Sequence, residues 1–281
     1  MVKSIFDLEV RLDFDKEYKR IMEIIDSPIF STSHQSGFSF YEIINSIFQF
    51  WPYRRTARTI DEYFELKDLR FGDFSSSKEE KLYDLQFVFD FIFWIYNPNR
   101  EMSEMYDSIR IESIIRNCLE NNRHHFVLIT DNIEEIIESL NMEIQTINDH
   151  ITFIKRDADV DSVLTQLEEE PNIRLLLLSY NDFRIENSLN DKKQIVRKLA
   201  DWLEPQRNKY KSINSNLTKD IFNAINNGNI RHNTPNQWHF ENDEEQIKMY
   251  DKIFKMILHL IREEDVKIIS AEIKELSSQK H

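Results

Sequence analysis

Residues 85–96, LQFVFDFIFWIY, are apolar on nearly every helical face. A helix without a polar face has to be surrounded by other elements, either in a bundle core or in a membrane. Twelve residues fall short of the ~20 needed to cross a bilayer, and Asp90 interrupts the run. The segment therefore predicts the central helix of a helical bundle. The chain is expected to be mainly α, with one small antiparallel β element near residues 126–155.

Helical spacing surrounds this segment. Tyr18, Ile21, Met22 and Ile25 recur at i, i+3, i+4, i+7. Ser39-x-x-Glu42, Thr59-x-x-Glu62 and Ser77-x-x-Glu80 read as helix starts, in which a hydroxyl accepts from the amide three residues on. Ile109, Ile111, Ile114, Ile115, Cys118 and Leu119 make another amphipathic helix, expected to end at Asn121-Asn122-Arg123. FVLIT at 126–130 is short, apolar and β-branched, and reads as a strand. Asp131-x-x-Glu134 opens a short helix. MEIQTI and HITFIKR then flank Asn148-Asp149, whose residue types tolerate the positive φ of a hairpin turn.

Beyond Asp159 the pattern is helical again. IRLLLLSY is apolar enough for a buried strand, but four successive leucines favour a helix. Ile195, Leu199, Trp202 and Leu203 mark one face of the next helix. Residues 184–211 carry eight Lys/Arg against four Asp/Glu. LTKDIFNAIN follows, then a polar loop at 226–243. A long last helix bears Tyr250, Ile253, Phe254, Ile257, Leu258 and Ile261, and VKIISAEIKEL reads as a separate short helix after it. The change of texture near residue 124 suggests a Phe-rich helical region at 1–124, with 14 of the 20 Phe, and a hairpin-plus-helices region at 125–281.

Composition removes several function classes. Three glycines and no G-x-G leave no phosphate-cradling loop for a dinucleotide or nucleoside triphosphate. The net charge of −14 counts against generic nucleic-acid binding, though not against a local basic groove. The lone Cys118 excludes an intrachain disulfide and a multi-cysteine metal site. No metal and no cofactor are expected. With no recognisable signal peptide and no membrane span, the expected setting is the cytoplasm.

The loop at 226–243 is the strongest candidate site. It gathers Asn229, Arg231, His232, Asn233 and His239 between two amphipathic helices. Arg can hold a phosphate or a developing oxyanion, and His can transfer protons near neutral pH. Arg231 would hold phosphate, His232 or His239 would transfer protons, and Asn229 and Asn233 would orient them. Lys193 and Arg197 on the basic helix would add RNA contacts. The competing reading is structural: polar side chains often satisfy backbone groups where two helices meet, and Asn and Gly are common helix C-caps.

The hairpin NDHITFIKRD, the segment KKQIVRKLADWLEPQRNKY and the stretch KDIFNAINNGNIRHN, followed by the last helix, resemble the C-terminal region of bacterial abortive-infection proteins of the AbiJ type. The asparagine-flanked IRHN, residues 230–233, is the sharpest element. That region is grouped with the HEPN helical bundles, many of which are ribonucleases in phage defence or toxin–antitoxin pairs. The resemblance implies a helical bundle, a homodimer and metal-independent RNA cleavage. One departure stands out. The short Arg-to-His spacing of such ribonucleases is absent, since Arg231 and His232 are adjacent and seven residues separate Arg231 from His239. A non-enzymatic module that binds a protein partner in a defence complex is the alternative expectation.

Three weaker patterns have structural readings. Arg54, Arg55 and Arg58 form a basic knot beside Trp51 and Tyr63, suited to RNA or to a helix end. Arg123-His124-His125 has metal-like residue types, but adjacent His side chains diverge. Asp157, Asp159, Asp161 and Glu168 fit a calcium-loop spacing, but Ser162 stands where such a loop needs glycine, so helix capping is favoured.

Overall fold

The structure, a computed structural model, describes residues 12–29, 38–97, 108–147, 150–231 and 237–278. It is mainly α, with small two-stranded β elements. The chain divides into two compact units, Met1–Phe153 and Ile154–His281. The change of texture near residue 124 falls inside a continuous helix.

The first unit begins with α1 (Phe14–Asp26), which buries Tyr18, Ile21, Met22 and Ile25 as its spacing requires. Strands β1 (Pro28–Ile29) and β2 (Phe38–Ser39) pair antiparallel. Helix α2 (Phe40–Ile47) starts on a complete Ser39/Glu42 capping box. Two short 3-10 turns and α3 (Ile60–Glu65), capped by Thr59, lead to α4 (Lys78–Tyr96), which opens on the Ser77/Glu80 box. As the sequence predicts, α4 is buried on nearly all sides from Leu82 to Ile95. Phe87 and Phe91 pack with Phe48, Trp51 and Tyr63 in edge and tilted contacts, with Phe48 and Phe91 stacked.

The few polar residues of α4 tie its neighbours down. Lys81 bonds Asp15 at 2.7 Å. Asp84 accepts from the Tyr18 hydroxyl and from the Gly72 amide. Asp90 accepts from the Ile151 amide at 2.8 Å, and Gln86 from the Phe153 amide at 3.5 Å.

Helix α5 (Ser108–Ser139) corrects the reading of FVLIT as a strand. Residues 126–130 are helical, and the chain runs through Asn121-Asn122-Arg123 without a break. The reason is the stripe Phe126, Ile129, Ile133, Ile136 and Ile137, all buried at helical spacing, while Val127 and Leu128 face solvent. The β element proper is β3 (Met142–Ile147) paired with β4 (His150–Lys155). The Asn148-Asp149 turn lies outside the described residues.

In the second unit, the Ile154 end of β4 bridges Asp182, and the Lys155 amide donates to the Asn181 carbonyl. Helices α6 (Ala158–Leu164), α7 (Pro171–Tyr180), α8 (Leu189–Leu203), α9 (Arg207–Ile213) and α10 (Ser215–Asn227) precede α11 (Asp243–Ser278). Asp157 caps α6, accepting from Asp159 and Val160, which is the capping role favoured for that acidic run. IRLLLLSY is helical, within α7. The core gathers Val163, Leu177, Val196, Leu199, Leu203, Phe222, Ile225, Phe254 and Ile257. Helix α11 packs on α6, α8, α9 and α10. It also absorbs VKIISAEIKEL, expected as a separate helix, into one continuous element of 36 residues.

Candidate functional site

Helix α10 ends where Gly228 donates its amide to the Ala224 carbonyl at 2.7 Å. A Cβ on Gly228 would lie 2.6 Å from that same carbonyl oxygen, so only glycine fits the closure. Asn229 follows with φ +61°, a left-handed conformation that Asn tolerates. This turn sends Ile230 into the core and aims Arg231 at the C-terminal end of α8. The far side of the loop is pinned where the Trp238 amide donates to the Asn227 carbonyl at 2.8 Å. His232 and Asn233, between these anchors, lie outside the described residues.

Arg231 is occupied. Its Nη1 donates to Glu204 Oε2 at 2.6 Å, and its Nη2 to the Ala200 carbonyl at 2.9 Å. Nη2 also lies 3.2 Å from Asp201 Oδ1. The hydrogen bond from Arg231 holds the Glu204 carboxyl below its usual range, reinforced by the charges of Arg231 and Arg207 and opposed by desolvation. A cation at the last carbonyls of a helix also satisfies the negative end of its dipole. The guanidinium thus grips the end of α8, and a phosphate would have to displace two carboxylates to reach it.

The other expected site residues do not converge on Arg231. His239 is exposed. Asn229 serves the turn by its backbone. Arg197 is exposed and Lys193 half-buried on α8, with no ion pair among the described residues. By helical rise, Lys193 lies ~12 Å along the axis from Asp201. Much of the basic character of 184–211 is neutralised locally. Arg184 pairs with Asp182, Lys192 with Asp251, Arg207 with Glu204, and Lys209 with Glu264. Buried Lys192 and the Tyr180 hydroxyl share Asp251 Oδ1, and burial with the Asp251 charge pushes the Tyr180 hydroxyl up.

The basic knot is likewise structural at Arg54, which donates to the Gln49 and Ala57 carbonyls at 2.7 Å each. Among the described residues no group of three or more His, Cys, Asp or Glu could hold a metal ion. No helix of the described residues is long and apolar enough to cross a membrane. A hollow of ≈ 410 Å³ in the second unit is walled by Trp202, Tyr210, Ile261, Ile268 and an acidic rim of Glu168, Glu169, Glu170 and Asp265. None of the expected site residues is among its walls.

One feature of the fold escapes the sequence reading. Past Ile261 the buried face of α11 ends, and Val266, Ile269, Ile273 and Leu276 stand exposed on one line. At ~100° per residue, Val266 is turned ~140° from Ile261. The change of phase reads as two helices, but the structure has one helix with two apolar faces. The 3-4-3 spacing of the four residues is the signal that marks the second face.

No protein-family model, no curated protein and no solved structure matches the chain.

Proposed function

We propose that the chain is a non-catalytic helical module that works by binding a protein partner, in the phage-defence or toxin–antitoxin setting that its resemblance to abortive-infection proteins implies. One observation carries this reading: the exposed apolar line Val266, Ile269, Ile273 and Leu276 on a helix whose other apolar face is already buried. Exposed aliphatic side chains aligned on one helix face are what a partner helix packs against. The retention of Arg231 by Glu204, Asp201 and Ala200 supports it from the other side, by occupying the group expected to hold phosphate.

The test is to place the photo-cross-linker benzoylphenylalanine at Ser277, beside the apolar line, and irradiate the full chain in its native host. Adducts to protein at Ser277, and none with the cross-linker at exposed Lys219 on α10, are expected. An absence of protein adducts at Ser277 rejects the reading.

RNA binding is the second reading, and Arg197 and Lys198 favour it as exposed cations of α8 without an ion pair among the described residues. It requires RNA affinity that falls steeply with salt and weakens in Arg197→Ala/Lys198→Ala.

A further inference from the structure

We infer that the hollow of the second unit is a binding site for a linear polyamine, a flexible alkyl chain that carries several protonated amines. The site is separate from the exposed line of α11 and does not depend on what that line binds.

The hollow forms where four segments meet. Helices α8 and α9 supply Trp202 and Tyr210, α11 supplies Ile261 and Ile268, and the turn between α6 and α7 supplies Glu168, Glu169 and Glu170. Its ≈ 410 Å³ falls within the ~300–1,000 Å³ of small-molecule sites. The Trp202 and Tyr210 rings stand 6.4 Å apart at 59°. Ile268, also in the wall, is 50% exposed. These aromatic and aliphatic walls are the surface against which the alkyl stem of a long cation packs.

Charge selects the class of ligand. The carboxylates of Glu168, Glu169, Glu170, Glu264 and Asp265 line the hollow against a single ammonium, that of Lys209. Glu264 is already held by Lys209 and by the Tyr210 hydroxyl. The other four carboxylates have no ion pair among the described residues. Such a rim repels an anion, and an uncharged ligand leaves the mutual repulsion of the four in place.

The arrangement of the charges selects further. Among the described residues no three acidic side chains converge as metal ligands do. A compact dication needs its carboxylates to meet at one point. Carboxylates spread around an apolar hollow instead match charges spread along an apolar chain. Lys209 shows the mode within the molecule: its alkyl-borne ammonium pairs with Glu264 and lies 5.4 Å from the centre of the Tyr210 ring, within cation–π range. Trp202 has no cation over its ring among the described residues and offers a second aromatic face.

Isothermal titration calorimetry of the full chain with spermidine, at physiological salt, is the first measurement. One saturable site is expected. Affinity should fall about tenfold or more in Glu169→Gln/Asp265→Asn and stay within about twofold in Glu65→Gln/Glu135→Gln, which makes the same charge change at exposed positions of the first unit. The second pair separates the hollow from the −14 charge of the whole chain, which attracts any polycation. No saturable binding, or equal losses in the two double variants, overturns the inference. Hexylamine and Mg²⁺ are compared next. Hexylamine has an alkyl stem but one charge and should bind far more weakly, and Mg²⁺ at equal ionic strength should not displace spermidine. Hexylamine binding as tightly as spermidine, or displacement by Mg²⁺, overturns the polyamine class. Ile268→Lys sets a fixed ammonium in the wall and should abolish binding with the melting temperature unchanged. Affinity retained in that variant places spermidine elsewhere and overturns the inference. If Glu169→Gln/Asp265→Asn unfolds, Ile268→Lys decides alone.

Discussion

Arg231 and Glu204, 27 residues apart in the chain, meet at 2.6 Å, and their contact joins the end of α10 to the end of α8. The loop between α10 and α11 is thereby anchored by the residue that the sequence reading offered to a substrate. Arg231 reaches three acceptors around the C-terminal end of α8, which suits a planar fork of donors better than a single ammonium.

Arg231→Ala should therefore destabilise the chain by about 1–3 kcal/mol, since it removes the link from the loop to the end of α8, leaving Glu204 with Arg207 and the Ala200 carbonyl with the Glu204 amide alone. Arg231→Lys should recover only part of this, because one ammonium cannot span both acceptors. Urea denaturation of the three proteins checks it. An alanine variant as stable as the parent would place Arg231 outside the scaffold and return it to the candidate site.

Gly228→Ala should cost about 1–3 kcal/mol as an overpacking clash. The obstructing atom is the Ala224 backbone oxygen at 2.6 Å, which cannot swing aside as a side-chain end would. Thermal unfolding measures this, and an unchanged melting temperature would mean that the end of α10 relaxes freely.

Asp84 sets a pH dependence. Burial pushes its carboxyl up to about 7, opposed in part by the bonds from Tyr18 and Gly72. In the unfolded chain it titrates near ~3.9. Between those values the folded chain keeps a proton that the unfolded chain has released. Stability from this group is therefore complete below about pH 4 and declines as pH rises to about 7, by at most ~1.4 kcal/mol per pH unit. Asp84→Asn should remove that slope. Unfolding midpoints of both proteins across pH 4–7 give the comparison, and parallel curves would refute it.

Asp90→Ala should expose the Ile151 amide to faster hydrogen exchange and cost about 1–3 kcal/mol, because the buried N–H on the edge of β4 loses its acceptor. Asp90→Asn keeps an acceptor oxygen and should protect the amide. Equal exchange rates in the parent and the alanine variant would show that another acceptor takes over.

Helix starts were legible because their physics is local. Ser39 with Glu42, and Ser77 with Glu80, lie within one turn of each other, so residue type and spacing suffice to predict the reciprocal bonds that form. The burial of α4 was legible for a similar reason, since a helix apolar on all faces has no other place in a bundle. The loop at 226–243 was legible as a polar loop between two helices, but the roles of its residues were not. What Arg231 does depends on Glu204 and Ala200, and nothing local to Arg231 announces them.

By itself, then, the sequence determined the mainly helical class, the caps at Ser39, Thr59 and Ser77, the pairing of β3 with β4 and the helical reading of IRLLLLSY, because each rests on propensities and periodicities that act over a few residues, whereas the helix start expected at Asp131 is absorbed into α5. Tertiary structure decided three things. FVLIT suits a strand or a helix in isolation, and it became helix because Phe126 and Ile129 join the buried stripe through Ile137. Arg231 became an anchor because α8 ends beside it. The line from Val266 to Leu276 became a surface because the core of the second unit stops at Ile261 while the helix continues. In all three the deciding energy comes from groups distant in the chain, and short-range pattern carries no record of which face those groups will cover.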